Sequence, residues 1–401
     1  RLATQMRGKT IEIALKDRGA MLPAGHTANA AYWFHGKKEG KWITSSFYMD
    51  KLPEWVESFN NSGAAQSYLK PWDTLYPIDT YVESGPDLNE FEQGFKGKET
   101  ATFPYDIDKL KTDNDGYEIL KTIAFGNDLT TDFAMAAIEG ENLGKDADTD
   151  ILTLSYSSTD YVGHNFGVNS KEIQDTYLRL DKNIADLLRF LDQQVGKDNY
   201  IVFLTADHAA VEVPAYLASV NIPAGYFDSK GFEEKVMKYA EDKYGNKNLI
   251  ANVSNDQVFF NYNLLDSMKI ESSELQQKLA AYILSQDKIQ RVYTRDQIVS
   301  GAYEHGMEAL IKNGFNQKRS GDVVYILEPS VISYPRKGST HGSSYVYDTH
   351  VPMLFYGKGI KKGSTSRRSE IVDIAPTIAT LLGIPFPNAT TGEPLFRMLE
   401  D

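Results

Sequence analysis

The segment spanning residues 151–206 constrains the fold more than any other, because it reads as strand, helix, strand. Its two apolar runs, 151–156 and 200–206, are short and lack strict polar/apolar alternation, the pattern of strands covered on both faces. Between them a helix is predicted over 171–195. Ser170 is placed to cap it and Glu172 lies in its first turn. Ile173, Tyr177, Leu180, Ile184, Leu187, Leu188 and Leu191 then follow mostly at steps of three or four, and Gly196 ends it. A strand–helix–strand unit of this kind marks a parallel sheet. Further strands are expected at 11–15, 258–262, 323–327 and 351–356, and a second helix at 371–382, closed by Gly383 and Pro385. The expected fold is α/β: an α/β/α sandwich with a largely parallel central sheet.

Two stretches read as inserted subdomains. Residues 20–115 hold all four tryptophans, Trp33, Trp42, Trp55 and Trp72, together with Tyr32, Phe34, Phe47, Tyr48, Tyr68 and Tyr76. Such a cluster serves either as the core of a small cap or as a wall over a pocket. Residues 212–330 carry strand and helix signals of their own. No apolar run is long enough to span a bilayer, and a net charge of −13 argues against a nucleic-acid or acidic-membrane partner. Nothing in the sequence specifies an oligomeric state.

The chain has no cysteine, which excludes disulfides, thiolate metal sites and cysteine nucleophiles. Any metal must be held by His, Asp and Glu, and there are only seven histidines. Candidate ligands gather in three places, each beside a predicted strand. Asp160 and His164 lie four apart just past the run at 151–156, so one turn of chain brings them to the same side, with Gly163 permitting a tight backbone. Asp207 and His208 lie where the chain leaves the run at 200–206. His341 sits in the glycine-flanked loop Gly338-Ser339-Thr340-His341-Gly342. In open α/β sheets, ligands collect beyond the carboxyl ends of the strands, where Asp160, Asp207 and His208 fall. Two carboxylates and three imidazoles suit zinc, and five ligands exceed the needs of one tetrahedral ion. The count therefore favours two metals with one set incomplete. His26, His35, His305 and His350 read as structural, though His350 is placed to orient a ligand. Lys16 and Arg18, two apart at the end of the first strand, would point the same way on an extended backbone. Their cations match phosphate oxygens.

These pieces together resemble the alkaline phosphatase superfamily, and within it the phosphate-monoesterase branch of the type I phosphodiesterase/nucleotide pyrophosphatase-like family. The residues that carry the resemblance are K-D-R-G-A-M-L-P-A-G-H at 16–26, S-S-T-D-Y-V-G-H at 157–164, T-A-D-H at 205–208 and S-T-H-G at 339–342. D-T-H-V-P-M-L-F-Y-G at 348–357 and D-I-A-P-T-I-A at 373–379 extend it over nearly the whole chain. The resemblance implies two zinc ions, one held by Asp160, His164 and His341 and the other by Asp207 and His208. It implies that Lys16 and Arg18 contact phosphoryl oxygens, a feature of monoesterases that diesterases generally lack. Small-molecule phosphate esters would be the substrates, and a periplasmic or secreted location is implied.

The sequence departs from this pattern in one respect. The family's first strand supplies a further Asp ligand, then a Thr nucleophile at a helix start and an Asn, all upstream of the K-x-R segment. Only 15 residues precede Lys16 here, without Asp or Asn, and Thr4 and Thr10 lack the expected context. The expectation is that the chain, which opens on Arg1, lacks an N-terminal part of roughly 140 to 150 residues. Its catalytic domain would otherwise span residues 1–401. The rival readings are a phosphodiesterase or nucleotide pyrophosphatase of the same superfamily, and a metal- or phosphate-binding relative without catalysis. A sulfatase fits less well, since no formylglycine site is visible.

Overall fold

The computed structural model describes residues 7–399, so Arg1 and Thr4 lie outside the described residues. The chain divides into two compact units, Arg1–Asp207 with Val351–Asp401, and His208–His350.

The first unit runs β1 (Thr10–Ala14), α1 (Asp17–Ala24), β2 (Ala30–His35), β3 (Lys41–Ile43), α2 (Phe125–Gly140), β4 (Ile151–Ser155), α3 (Ser158–Phe166), α4 (Lys171–Gln194) and β5 (Ile201–Thr205). Four strands form one sheet in the order β3-β2-β1-β4. β1 is parallel to both β2 and β4, and only the edge strand β3 runs antiparallel. The side chains of β1 alternate between faces. Ile11 and Ile13 enter the main core with Tyr32, Phe34, Trp42 and Phe133. Ala14 faces the other way with Ala31 of β2, against Ala20 and Ala24 of α1, and these small side chains let α1 lie close on the sheet.

Residues 30–43 therefore belong to the central sheet, although the sequence places them in an insertion. Their aromatics serve packing: Trp42 and Phe133 stack with ring centroids 4.2 Å apart, and buried Trp72 donates from its indole N–H to Asp175 at 2.7 Å. The long helix α4 starts as expected, with the Ser170 hydroxyl oxygen accepting from the Ile173 N–H at 3.1 Å. Tyr177, counted on its apolar face, is instead 58% exposed. Periodicity marks a stripe but does not say how wide the covered part is.

The second unit contributes α5 (Ser229–Tyr244), β6 (Ile250–Ser254), β7 (Gln257–Phe260), α6 (Ser272–Leu284), β8 (Ile289–Thr294) and β9 (Val323–Leu327). Its sheet has the order β8-β9-β7-β6 and is antiparallel throughout. It packs on Phe232, Val236, Leu275 and Leu279 of the two helices. The runs read at 258–262 and 323–327 are thus strands of a separate sheet, and this unit is wider than the span 212–330.

After it the chain returns to the first unit with β10 (Met353–Gly357) and α7 (Ile374–Leu381). β10 pairs antiparallel with β5. Among the described residues β4 pairs only with β1, and β5 only with β10. Every residue of β4 is half-buried, where the apolar run predicts coverage on both faces. The fold is α/β with a mostly parallel central sheet, and among the described residues no helix is long and apolar enough to cross a membrane.

One buried carboxyl in the sheet yields a test of the fold. Glu12 on β1 is 3% exposed, and its Oε2 accepts no hydrogen bond among the described residues. Burial pushes its carboxyl up to about 7, with a hydrogen bond to Thr153 acting the other way. Between its ordinary value and about 7 the folded state holds the extra proton. The group's stability contribution is therefore present at low pH and falls as pH rises through that window. Glu12→Gln, which stays neutral, is expected to be more stable than the wild type at pH 8 by on the order of 2–3 kcal/mol. The difference should shrink toward pH 4.5. Urea unfolding at both pH values checks this, and equal differences at the two would contradict it.

Candidate active site

In the first unit the site residues stand just beyond the carboxyl ends of strands. Lys16 follows β1, Asp160 follows β4 and Asp207 follows β5. The parallel register pairs Ala14 with Ser155, so β1 and β4 leave the sheet at the same level. Their next residues meet: the Lys16 ammonium forms an ion pair with Asp160 Oδ2. Asp160 and His164 sit one turn apart on α3, with Asp160 Oδ1 and His164 Nε2 separated by 3.3 Å. Two ligands bound at zinc's usual 2.0–2.1 Å in tetrahedral geometry would be about 3.3 Å apart, the separation this pair has. The turn is an ordinary α-helix. A Cβ on Gly163 would meet nothing within 4 Å, so the spacing does not depend on a glycine there.

Lys16 and Arg18 differ from the expected strand pair. Lys16 is extended, at φ −93° and ψ 136°, and caps α1, whereas Arg18 lies in that helix's first turn. The charges of both act on Tyr161. The Lys16 ammonium lies 4.5 Å from the Tyr161 ring centroid, a cation–π contact. Burial raises the Tyr161 phenol first, followed by the carboxylates of Glu118, Asp160 and Asp17, with Arg18 acting oppositely. Tyr161 stands inside the D-Y-V-G-H motif, but its role depends on Lys16, which is remote in sequence, and no local pattern discloses it.

In the second unit His208 and His341 stack face to face, with ring centroids 3.3 Å apart and planes at 11°. His208 Nδ1 lies 3.0 Å from the Ala209 carbonyl oxygen, which can only accept. The proton therefore sits on Nδ1, and the Nε2 lone pair is the one a metal would use. The two loops are tied to each other, since buried Ser339 donates from its hydroxyl to the Val211 carbonyl. His26, His35 and His305 are exposed. His350 is exposed as well.

Cations and carboxylates beyond the carboxyl ends of a mostly parallel sheet are the placement expected of a phosphate-ester hydrolase of the alkaline phosphatase superfamily. The chain belongs to the type I phosphodiesterase/nucleotide pyrophosphatase family, whose profile matches residues 5–350. It is 40% identical over 400 residues to alkaline phosphatase PafA of Elizabethkingia meningoseptica, covering 99% of this chain and 73% of that protein. It is 39% identical over 410 residues to alkaline phosphatase PhoV of Synechococcus elongatus, covering all of this chain and 72% of PhoV. A protein of Myroides odoratus described as a calcium-transporting ATPase is 46% identical over 405 residues, covering all of this chain and 74% of its own length. The crystal structure of wild-type PafA superimposes with a TM-score of 0.94, covering 99% of this chain and 76% of that one.

Proposed function

We propose that the protein hydrolyses phosphate monoesters with two zinc ions, as a periplasmic or secreted alkaline phosphatase acting on small-molecule esters. The observation that carries this reading is the Lys16 ammonium fixed between Asp160 and Tyr161, with Arg18 beside it in the first turn of α1. A phosphate monoester dianion carries one more charge than a diester, and two added cations favour it. The names of PafA and PhoV support the reading. So does a crystallised PafA variant in which a lysine and an arginine, spaced as Lys16 and Arg18 are, are both replaced by alanine.

Asp160, His164 and His341 are assigned to one zinc, and Asp207 and His208 to the other. Zinc, when bound, polarises phosphoryl oxygens and makes a hydroxyl a competent nucleophile at neutral pH. Lys16 and Arg18 hold the non-bridging oxygens and orient the phosphorus for in-line attack. His208 keeps its Nδ1 proton on the Ala209 carbonyl, and Asp160 holds Lys16 through its second oxygen. The phosphoryl group passes to a threonine that the family resemblance places upstream of Lys16. The P–O bond to the leaving alcohol breaks as the threonine ester forms, and water then releases phosphate. Residues 1–401 read as one catalytic domain, with residues 208–350 inserted between β5 and β10.

The family's name and the Myroides relative favour two further substrates, a diester and ATP. Phosphate release from p-nitrophenyl phosphate, bis(p-nitrophenyl) phosphate and ATP is measured before and after chelation and zinc return. The monoester is expected to give the highest kcat/KM, with activity lost to chelator and restored by zinc. A faster diester would select the phosphodiesterase reading. Tight phosphate binding without release from any ester would select a non-catalytic one.

A further inference from the structure

The loop that carries His341 turns back on a single buried carboxylate. Asp348 is 4% exposed and lies in the D-T-H-V-P stretch. Its Oδ2 accepts three hydrogen bonds from the two residues that follow His341. They come from the Gly342 N–H at 3.1 Å, the Ser343 N–H at 2.8 Å and the Ser343 hydroxyl at 2.6 Å. Successive N–H groups converging on one anionic oxygen form a nest, which fixes the backbone that presents them. Gly342 has φ +127°, a conformation that favours glycine, and a Cβ there would meet nothing within 4 Å. It is therefore the backbone direction, not space, that the turn requires.

The same residue holds the other histidine loop. The Asp348 carbonyl oxygen accepts the Ala209 N–H at 2.8 Å, directly after His208. Ala209 is also the residue whose carbonyl accepts the hydrogen bond from the His208 Nδ1–H. One residue thus clamps the exit of His341 with its carboxylate and the exit of His208 with its backbone. The carboxylate's other oxygen, Oδ1, is buried and accepts no hydrogen bond among the described residues. Burying a carboxylate with an unsatisfied oxygen opposes folding, so the clamp is retained at a cost in stability.

We propose that Asp348 is the positioning residue for the His208–His341 pair, setting both rings for metal binding while contacting neither substrate nor metal. The inference rests on the assignment of these histidines as zinc ligands. Its readout is zinc affinity, measured by competition with a chromogenic chelator, alongside zinc content by atomic emission, in the wild type, Asp348→Ala, Asp348→Asn, Ser343→Ala and His341→Ala. Loss of an outer partner typically weakens metal binding by about 10- to 100-fold. That range is expected for Asp348→Ala. Asp348→Asn keeps an acceptor but loses the charge, so it should fall between Asp348→Ala and the wild type, and Ser343→Ala should weaken binding least. KM for the phosphate ester should stay near wild type in protein loaded with saturating zinc, since no substrate contact is lost.

Wild-type zinc affinity in both Asp348 variants would overturn the inference. Should Asp348→Ala fail to fold, Asp348→Asn decides alone, weakened zinc binding supporting the inference and unchanged binding overturning it. Failure of the underlying ligand assignment looks different: the wild type itself would bind no zinc, or His341→Ala would bind it as tightly as the wild type.

Discussion

Asp160→Ala and His341→Ala should each lower kcat/KM for a phosphate monoester by about a thousandfold or more, and each should leave the purified protein short of zinc. A bound ion is worth several kcal/mol of transition-state stabilisation, and every 1.4 kcal/mol is tenfold in rate. The two variants differ in a way the structure makes specific. Asp160 faces His164 with one oxygen and holds Lys16 with the other, so its removal strikes the ligand pair and the cation together. His341 lies in the second unit, stacked on His208, and its loss should leave the Lys16–Asp160 pair in place. Asp160→Ala should therefore be the more damaging of the two. Assays of turnover and metal content on the same preparations decide this, and full zinc with full turnover in either variant would remove that residue from the site.

Lys16→Ala is expected to cut monoester kcat/KM by about 10²- to 10³-fold, the usual cost of removing one preorganised donor to a charged oxygen. Diester turnover should fall by no more than about tenfold, because a diester monoanion has less charge to be matched. The ammonium is held on one side by Asp160 and on the other by the face of Tyr161, 4.5 Å from the ring centroid. Its position is thus set before substrate arrives, and little ordering remains to oppose binding. Zinc content should stay at the wild-type level, which separates a lost phosphate contact from a lost metal. An unchanged ratio of monoester to diester turnover would sink the monoesterase reading while leaving the metal assignment intact.

The two cations also show where local reading stops. Sequence spacing suggested that Lys16 and Arg18 lie side by side on a strand. β1 in fact ends at Ala14, and α1 begins between them at Asp17, so one cation stands on an extended residue and the other on a helical one. Asp17, next to a strand end and followed by a helix that contains both Gly19 and Pro23, gives no pattern strong enough to fix a boundary to one residue. Asp160 and His164 were legible as neighbours because four residues make about one turn of chain, although the turn is an α-helix that does not need Gly163. The insertion read at 20–115 took in residues 30–43, since an aromatic-rich strand beside irregular chain looks the same whether it joins the central sheet or a separate subdomain. Only the pairing of Ile11 with Ala30 shows which sheet it enters.

Sequence by itself determined part of the elements and the inventory. Apolar runs placed β1, β4, β5, β7, β9 and β10, the 3.6-residue period placed α4, and seven histidines with no cysteine restricted the possible metal chemistry. These are short-range properties, set by backbone geometry and side-chain type within a few residues. Tertiary structure decided which residues meet. Lys16 reaches Asp160 because two parallel strands leave one sheet at the same level, and Gly342 and Ser343 find Asp348 because the loop folds back on a carboxylate buried beneath it. Such contacts depend on register and burial between segments, and neither is encoded in the local periodicity of either partner.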